Sequence, residues 1–563
     1  MAILPDDQLM NLVVKAKLLD AKKAAEILEY ARNSNIGLDD ALLEKGAVTD
    51  EQLGQALAAN FKLPFVNLSK LDIPEEVFNV IPDRVTRRQK IVVFARDAGG
   101  VKVAVADPAT SRPVLEMVAK KTGQKVLPHL ATLRDIQIAL RVYQGDVQKM
   151  VDNLMAEDIG RSAEAVLEDP PVARIVDAII ETAYQNRASD IHIEPEESGC
   201  LVRYRIDGVL QDVLHVPKRL HDRLMTRIKV LSSLRTDEHM AAQDGKMRVK
   251  LEEEHLDIRV SILPIADGEK AVLRLLSSRS RQYTLHDLGM SEADLAKLTR
   301  AFTKSYGAIL CTGPTGSGKT TTIYAILKII NSREKNITTI EDPVEYRIRG
   351  ANQIQVNPKT NLTFASGLRS ILRQDPNVIF VGEIRDGETA GIAVNAALTG
   401  HLVLSTLHTN DAATAIPRLI DMKVEPFLVA STVSVILAQR LVRQICPACK
   451  YEMEITAEEV TKSFPPEVVK ENWGAKNKYP VFKGKGCKIC RLSGYSGRVG
   501  LFEVLEVTAE IRKLITQKAD ADVIAKAATK EGMKTILGDG FAKIAAGVTT
   551  VEEVLRVTKS ELV

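Results

Sequence analysis

The segment GPTGSGKT, Gly313 to Thr320, has glycines, a lysine and a hydroxyl at the spacing of a phosphate-binding loop. Glycines let backbone N–H groups approach phosphate oxygens, and a helix that begins beside them adds partial positive charge. Lys319 would neutralise β- and γ-phosphates, and the Thr320 hydroxyl would help to hold Mg²⁺. The pattern predicts a nucleoside triphosphate site rather than a simple glycine-rich turn. The residues predicted to bind the nucleotide are Gly313, Pro314, Thr315, Gly316, Ser317, Gly318, Lys319, Thr320 and Thr321.

Carboxylates follow two other apolar stretches. In NVIFVGEIRD, Glu383 comes just after the apolar run, and in NITTIEDPVEY, Glu341 and Asp342 stand before a proline. Because parallel strands end at the same edge of a sheet, both carboxylates are expected to face the γ-phosphate. One would orient or deprotonate the attacking water while the other supports the metal, and the spacing leaves open which does which.

Two histidines bracket a third predicted strand. In TGHLVLSTLHTN, His401 precedes the apolar run and His408 follows it. An isolated histidine is usually a structural residue, but histidine can also respond to a nearby phosphate charge. Both positions are therefore candidates for sensing the γ-phosphate or a subunit boundary.

Four of the six cysteines form two C-x-x-C pairs, which are Cys446, Cys449, Cys487 and Cys490. Two such pairs can supply four thiolates tetrahedrally, as structural zinc prefers. The alternative is disulfides, which a reducing compartment disfavours. Four protein ligands would leave no open position, so the predicted metal is structural. Cys200 and Cys311 lie in apolar strands and are expected in the core.

The elements that position these residues suggest several domains, because 563 residues exceed what one core usually supports. From residue 291 to 563, strands and helices alternate as in a mostly parallel α/β sheet. A smaller α/β domain is predicted over 172–276, with strands at DIHIEP, LVRYRIDGVL and LDIRVSILPI. Linkers are expected at 144–171 and 277–290.

Residues 1–143 form a third predicted domain. Two similar segments, Leu12 to Leu28 and Ala41 to Leu57, each predict a helix, a turn and a second helix. Thr49 and Gln52 have capping-box spacing at the second turn. Farther along, Gly99-Gly100 lies between two alternating runs and predicts a β-hairpin.

The composition excludes some classes of protein. The formal net charge is only +3 and aromatic residues make up 4% of the chain, so a dedicated nucleic-acid binder is disfavoured. The start MAILPDDQLM lacks the features of a secretory signal, and the longest apolar run is too short to span a bilayer. The expected location is the cytoplasm.

Four motifs in this order resemble those of the secretion ATPase family that drives type IV pili and type II secretion. They are the phosphate-binding loop, TTIEDPVEY, LRQDPNVIFVGEIRD and TGHLVLSTLHTND. The resemblance covers about residue 172 to the C-terminus. It implies a RecA-like ATPase core preceded by a smaller PAS-like domain, ATP and Mg²⁺ as ligands, a zinc element at 446–490 and a hexameric ring. The N-terminal extension is most similar to pilus-extension members, and the alternatives are a type II secretion ATPase and, more remotely, a nucleic-acid translocase.

The resemblance also assigns arginines. Arg259 and Arg274 match family positions in the smaller domain that reach the γ-phosphate when the cleft closes. Arg369 and Arg373 match positions at the subunit boundary. Guanidinium groups supplied by a mobile domain would couple phosphate charge to domain position.

The N-terminal repeat resembles an MshEN-type domain, which binds cyclic di-GMP in some of these ATPases. Gln8 and Gly37 stand where that motif has arginine, and Ala31 and Asn60 stand where it has glutamine. These departures remove the obvious ligand contacts and favour a docking role, with cyclic di-GMP as the alternative. The implied partners are an inner-membrane platform protein of the PilC or GspF type, which would hold the chain peripherally at the inner membrane, and cytoplasmic pilus assembly proteins.

Overall fold

The computed structural model describes residues 4–34, 37–44, 47–68, 71, 73–142, 147–159, 170–251, 254–277, 284–487 and 489–558. Contacts divide the chain into two compact units, 1–166 with 487–492, and 167–486 with 493–563. Residues 144–146, 160–169 and 278–283 of the two predicted linkers lie outside the described residues.

The first unit combines paired helices with a small sheet. Its elements are α1 (Asp6–Lys15), α2 (Ala21–Ser34), α3 (Leu38–Glu44), α4 (Asp50–Phe61), α5 (Glu75–Phe78), α6 (Asp83–Gln89), β1 (Ile91–Asp97), β2 (Gly100–Val105), α7 (Arg112–Thr122), β3 (Val126–Leu130), α8 (Leu133–Val142) and α9 (Val147–Ile159). Strands β1 and β2 pair antiparallel as the predicted hairpin, and β3 joins β2 in parallel. Helix α9 lies within the predicted linker at 144–171.

The helical repeat is confirmed as four helices. Helix α4 begins after Thr49, whose side chain accepts a hydrogen bond from the backbone N–H of Gln52, while the Gln52 side chain accepts one from Thr49. This is the predicted capping box, which satisfies two N–H groups that a helix start leaves unpaired. The apolar faces of these helices share one core that includes Leu9, Leu42 and Leu57.

The second unit begins with an antiparallel sheet. Its elements are α10 (Pro170–Gln185), β4 (Asp190–Pro195), β5 (Gly199–Ile206), β6 (Val209–Pro217), α11 (Lys218–Leu231), β7 (Gln243–Lys250), β8 (His255–Ile265) and β9 (Gly268–Leu276). The strand order is β6-β5-β4-β9-β8-β7. Alternate residues of β4 and β5 are buried, because one face of the sheet packs on helices and the other carries polar side chains. The predicted strands at DIHIEP, LVRYRIDGVL and LDIRVSILPI are confirmed.

A larger sheet follows. The elements that build most of it are α12 (Glu292–Phe302), β10 (Gly307–Thr312), α13 (Lys319–Ile330), β11 (Ile337–Glu341), β12 (Ala351–Gln355), α14 (Phe364–Ile371), β13 (Val378–Val381), α15 (Gly387–Leu398), β14 (Leu402–Leu407), α16 (Ala415–Asp421), α17 (Pro426–Thr432) and β15 (Val433–Ile445). The remaining elements are β16 (Lys450–Thr456), α18 (Ala457–Thr461), α19 (Pro466–Trp473), β17 (Lys478–Gly484), β18 (Tyr495–Glu506), α20 (Ala509–Thr516), α21 (Ala521–Lys530), α22 (Ile536–Ala545) and α23 (Val551–Thr558).

The strand order of this sheet is β12-β11-β13-β14-β10-β15-β18, and all neighbours are parallel except β15 and β18. Strands β10, β11, β13 and β14 are buried along their whole length, as expected when helices cover both faces. The predicted α/β fold with a mostly parallel sheet is confirmed. No helix in the described part of the chain has the length and apolar character needed to cross a bilayer.

A buried ion pair anchors the last helix, α23. The carboxylate of Glu553 accepts hydrogen bonds from the backbone and side chain of Arg443 on β15, and from Arg556. Burial alone raises the pKa of a carboxyl group, but the bonds from Arg556 and Arg443 outweigh it and hold the pKa of Glu553 at about 2. The ionised form is therefore strongly favoured in the folded chain.

The Glu553→Gln variant is expected to lower the free energy of unfolding by about 3 kcal/mol at neutral pH. Folding lowers the pKa of Glu553, so its carboxylate contributes fully to the free energy of unfolding above the usual glutamate pKa of 4.5. This contribution is lost as the pH falls towards 2. The difference from wild type should therefore shrink at about pH 3.5. Urea unfolding followed by fluorescence of the single tryptophan, Trp473, measures both values.

The neighbouring exposed pair Glu552–Lys483 supplies the control, since Glu552→Gln should lower the free energy of unfolding by less than about 1 kcal/mol. A difference that is the same at both pH values would contradict the assignment.

Candidate functional site

The predicted phosphate-binding loop connects β10 to α13. Strand β10 ends at Thr312, residues 313–318 form the loop, and α13 begins at Lys319. Gly316 and Gly318 have φ angles of 78° and 90°, which favour glycine. Lys319, Thr320 and Thr321 occupy the first helical turn, where backbone N–H groups point out of the helix. The loop and helix thus have the form that the sequence pattern predicts.

Lys319 is buried within this loop. Its Nζ donates hydrogen bonds to the carbonyl oxygens of Gly313 and Pro314, at 2.8 and 3.1 Å. Burial lowers the pKa of Lys319, and the negative charge of Glu383 acts in the opposite direction. The negative charge of Glu383 thus favours the protonated form of Lys319, so these two predicted site residues interact electrostatically.

Glu383 and His408 meet because they follow neighbouring strands. The Glu383 carboxylate lies 3.4 Å from Nε2 of His408 and 2.7 Å from Arg385. Its side chain is only 13% exposed, whereas that of His408 is 46% exposed. A carboxylate held between two positive or polar groups at this edge of the sheet can orient a water molecule or accept its proton.

The structure does not bring His401 to this edge. His401 precedes β14 and His408 follows it, so the length of the strand, about 20 Å for six residues, separates them. Nδ1 of His401 lies 3.0 Å from the carbonyl oxygen of Ala396 at the end of α15. A role for His401 at a subunit boundary stays a prediction.

Glu341 is more deeply buried than Glu383. It accepts hydrogen bonds from Thr339 at 2.5 Å, from Gln353 at 3.2 Å and from the hydroxyl of Tyr324. Burial raises the pKa of Glu341 in spite of these bonds, and it raises the pKa of Tyr324 as well. Both carboxylate oxygens of Glu341 thus accept hydrogen bonds from buried or partly buried side chains, whereas those of Glu383 meet the exposed side chains of Arg385 and His408.

Arg259 and Arg274 lie side by side on the polar face of the antiparallel sheet, where they are directly paired in the register of β8 and β9. Arg259 donates a 2.8 Å hydrogen bond to the carbonyl oxygen of Val344 and lies 3.5 Å from Glu345. These two residues belong to the segment that follows β11. The antiparallel sheet therefore contacts the acidic segment of the larger sheet through Arg259.

Arg274 is held by Asp190, a residue that the sequence did not single out. Nε of Arg274 lies 3.0 Å from one carboxylate oxygen of Asp190, and Nε of Arg205 lies 3.5 Å from the other. The side chain of Asp190 is 8% exposed, while that of Arg274 is 61% exposed. Asp190 is the first residue of the predicted strand DIHIEP, and it pairs with Arg205 and Arg274 of the two neighbouring strands.

Arg369 and Arg373 lie on and just after α14, on the surface. Arg369 forms a 2.6 Å ion pair with Glu388, and Arg373 donates a hydrogen bond to the carbonyl oxygen of Arg369. Half of the Arg369 side chain is exposed. This exposure is compatible with a subunit boundary, which stays a prediction for both arginines.

The four predicted cysteine ligands come together. The Sγ atoms of Cys446, Cys449, Cys487 and Cys490 all lie within 4.8 Å of one another. Cys487 and Cys490 have an Sγ–Sγ distance of 3.7 Å. A disulfide needs about 2.05 Å, whereas zinc–sulfur bonds of about 2.3 Å give a tetrahedron with edges of about 3.8 Å. The donor set thus fits a tetrahedral metal.

The other two cysteines are in the core, as predicted. Cys200 and Cys311 are almost fully buried in β5 and β10. Burial raises the pKa of both thiols to about 12, so they stay protonated. They therefore behave as small apolar residues.

Comparisons with known proteins agree with this geometry. The family model described as type II/IV secretion system protein matches residues 165–556, and the model of the MshEN domain matches residues 61–149. The repeated helices that resembled an MshEN-type domain lie almost entirely before that second range.

Two curated relatives cover most of the chain. The type IV pilus assembly ATPase PilB of Myxococcus xanthus is 36% identical over 97% of this chain and 98% of its own. The type II secretion system protein E of Pseudomonas aeruginosa is 43% identical over 80% of this chain and 92% of its own. The predicted resemblance to secretion ATPases is confirmed.

A solved structure supports the fold. The ATPase DotB of Yersinia pseudotuberculosis covers 69% of this chain and 93% of its own, with a TM-score of 0.51 and 21% identity. At that identity the likeness concerns the fold alone, and it agrees with the predicted RecA-like core. Together with the family match over residues 165–556, these comparisons establish that the chain belongs to the type II/IV secretion system protein family.

Proposed function

We propose that this chain is the ATPase motor that powers type IV pilus assembly. It would act as a homohexamer that couples ATP hydrolysis to movement of the antiparallel sheet domain against the ATPase sheet. The observation that carries this proposal is the combination of a phosphate-binding loop with Arg259, which joins the smaller domain to the segment following Glu341. A movement of the smaller domain would therefore move the segment that follows Glu341, at the edge of the nucleotide site.

The residues divide the work of hydrolysis. The loop N–H groups and Lys319 would bind the phosphates, and Thr320 would hold Mg²⁺, which neutralises charge on the phosphate oxygens. Glu383, kept in place by Arg385 and His408, would orient the attacking water and accept its proton. Arg274 would stabilise the charge that develops on the γ-phosphate after its ion pair with Asp190 opens.

Near full-length likeness favours pilus assembly. The PilB relatives of Myxococcus xanthus and Pseudomonas aeruginosa each cover 97% of this chain, including its N-terminal unit. This unit would dock on partners, and the family suggests an inner-membrane platform protein and cytoplasmic pilus assembly proteins. The chain would then lie in the cytoplasm, peripherally attached to the inner membrane. Cyclic di-GMP stays an alternative ligand of the N-terminal unit.

The higher identity to a type II secretion protein E, 43% against 36%, favours a second candidate, the ATPase of a type II secretion system. Deleting the gene and restoring it as wild type or as Lys319→Ala would separate the two. If the pilus proposal is right, the deletion and the variant lose surface pili but still secrete exoproteins. Normal pili with lost secretion would favour the second candidate, and the loss of neither function would contradict both.

A nucleic-acid translocase is the remaining alternative. The near-neutral charge weighs against it, and scarce aromatic residues leave few base-stacking surfaces. An ATPase rate measured with and without DNA decides the matter. We expect no stimulation, and a strong stimulation would contradict the pilus proposal.

We propose that the four cysteines hold a structural zinc ion. The Cys446→Ser variant is expected to reduce bound zinc from about one ion per chain to near zero, because a three-thiolate set binds far more weakly. Metal analysis of the purified full chain measures this, and the melting temperature should fall with it. The control is Cys200→Ala, which changes a buried cysteine outside the cluster. This variant should bind as much zinc as the wild type. Full zinc content in Cys446→Ser would contradict the assignment.

A further inference from the structure

Gln439 lies beneath the phosphate-binding loop, on the strand beside β10. Thr312 at the end of β10 pairs with Ala438 of β15, so Gln439 is level with Gly313, the first residue of the loop. Its side chain is fully buried. A polar amide thus lies at the position where the loop leaves the sheet.

The Gln439 amide is held in one orientation. Its Oε1 accepts a 2.7 Å hydrogen bond from the hydroxyl of Thr322 in the first turns of α13. The thiol of Cys311 on β10 lies 3.9 Å from the same oxygen. Because both contacts use the oxygen, the Nε2 amino group is directed away from them.

This amino group has no hydrogen-bond partner among the described residues, although it is buried. Leaving a buried donor unpaired costs about 1–3 kcal/mol, which an apolar residue at this position would avoid. Such local costs concentrate at functional sites. A functional role of the Gln439 amide therefore explains its presence better than packing does.

The loop rests directly on Gln439. A Cβ atom added to Gly313 would lie 2.5 Å from the Gln439 carbonyl oxygen, and one added to Gly318 would lie 2.9 Å from Nε2. Both glycines that start and end the loop are thus in close contact with one residue of the neighbouring strand. The amino group Nε2 thus lies beside Gly318, the last residue before Lys319.

We propose that Gln439 is a positioning residue of the nucleotide site, whose oriented amide supports the phosphate-binding loop from below and places its unpaired donor beside Gly318. The hydroxyl of Thr322 fixes the amide, which packs beneath Gly318, while the backbone carbonyl of Gln439 packs beneath Gly313. Gln439 then acts on the nucleotide through the loop rather than by contact. The inference rests on the proposed function, because it needs this loop to bind ATP.

Titration of the full chain with a fluorescent ATP analogue and Mg²⁺ tests the proposal. Gln439→Leu is expected to weaken binding about tenfold or more, the fold-change that corresponds to losing one buried hydrogen bond. Thr322→Val keeps the shape but frees the amide, so it should show a smaller loss in the same direction, and it serves as the test if Gln439→Leu fails to fold. Gln444→Leu, on the same strand but away from the loop, is the matched control and should bind like wild type.

A charge variant separates positioning from simple packing. In Gln439→Glu the acceptor oxygen stays, but the amino group is replaced by an oxygen that is negative at about pH 8 and bears a proton when the buried carboxyl is neutral. Binding should be weak at about pH 8 and should recover towards the wild-type value, measured at the same pH, as the pH falls to about 6. A loss caused only by the shape of the side chain would not depend on pH, because Glu and Gln have nearly the same shape.

The outcomes are distinct. Wild-type affinity in Gln439→Leu, or a loss in Gln439→Glu that is the same at both pH values, would overturn this inference while leaving the proposed function intact. A wild-type chain that binds no nucleotide would contradict the proposed function itself.

Discussion

The Glu383→Gln variant is expected to hydrolyse ATP at least about 100-fold more slowly than wild type while binding it with a similar dissociation constant. Gln has nearly the same shape as Glu but cannot accept a proton from water at neutral pH. The carboxylate lies beside His408 and Arg385, and its negative charge favours the protonated form of Lys319. Steady-state phosphate release and analogue binding give the two quantities separately.

Glu341→Gln is the informative comparison for that experiment. Both carboxylate oxygens of Glu341 already accept hydrogen bonds from Tyr324, Thr339 and Gln353, so they are poorly placed to receive a proton from water. Its variant should slow hydrolysis less than Glu383→Gln does. The reverse order would make Glu341 the general base. Glu506→Gln, at an exposed ion pair with Arg300, should leave the rate unchanged.

The Arg274→Ala variant is expected to lower the hydrolysis rate by about 100-fold, again with ATP binding largely retained. Arg274 is well exposed and held by a single carboxylate, so it can exchange Asp190 for a phosphate oxygen when the domains approach. A guanidinium group that reaches the γ-phosphate only in that arrangement stabilises the transition state more than the bound ground state. The effect should therefore appear in the turnover number rather than in affinity.

Controls for Arg274 come from the same sheet. Arg248→Ala removes an exposed arginine of β7 that pairs with Asp257, and it should leave turnover unchanged. Asp190→Asn keeps the shape but releases both Arg205 and Arg274, so it should reduce turnover less than the loss of Arg274 itself. Full activity in Arg274→Ala would exclude an interdomain role for this arginine.

Much of the fold follows from local patterns. The loop at Gly313 to Thr320, the capping box at Thr49 and the strand DIHIEP are all determined by residues a few positions apart, which the sequence displays directly. The direction of a strand also follows from sequence order. A residue that precedes an apolar strand, as His401 does, lies at the opposite edge from one that follows it, so its separation from His408 was open to prediction.

The contacts that support the site depend on sheet order instead. Gln439 is more than a hundred residues from the loop beneath which it lies, and it arrives there because β15 pairs with β10. Asp190 meets Arg274 because β4 lies beside β9. Tyr324 reaches Glu341 from a helix that covers the sheet. Spacing along one chain does not reveal such neighbours, because many strand orders satisfy the same apolar pattern.

The bond between Arg259 and Val344 has a genetic consequence. Its acceptor is a peptide oxygen, which every amino acid supplies, so most codons at position 344 preserve the bond. Suppressors of a damaged Arg259 are then not expected to arise by exchanging the side chain opposite it. They should restore a cation on the strand that carries position 259, and a selection for restored pilus assembly would find them there.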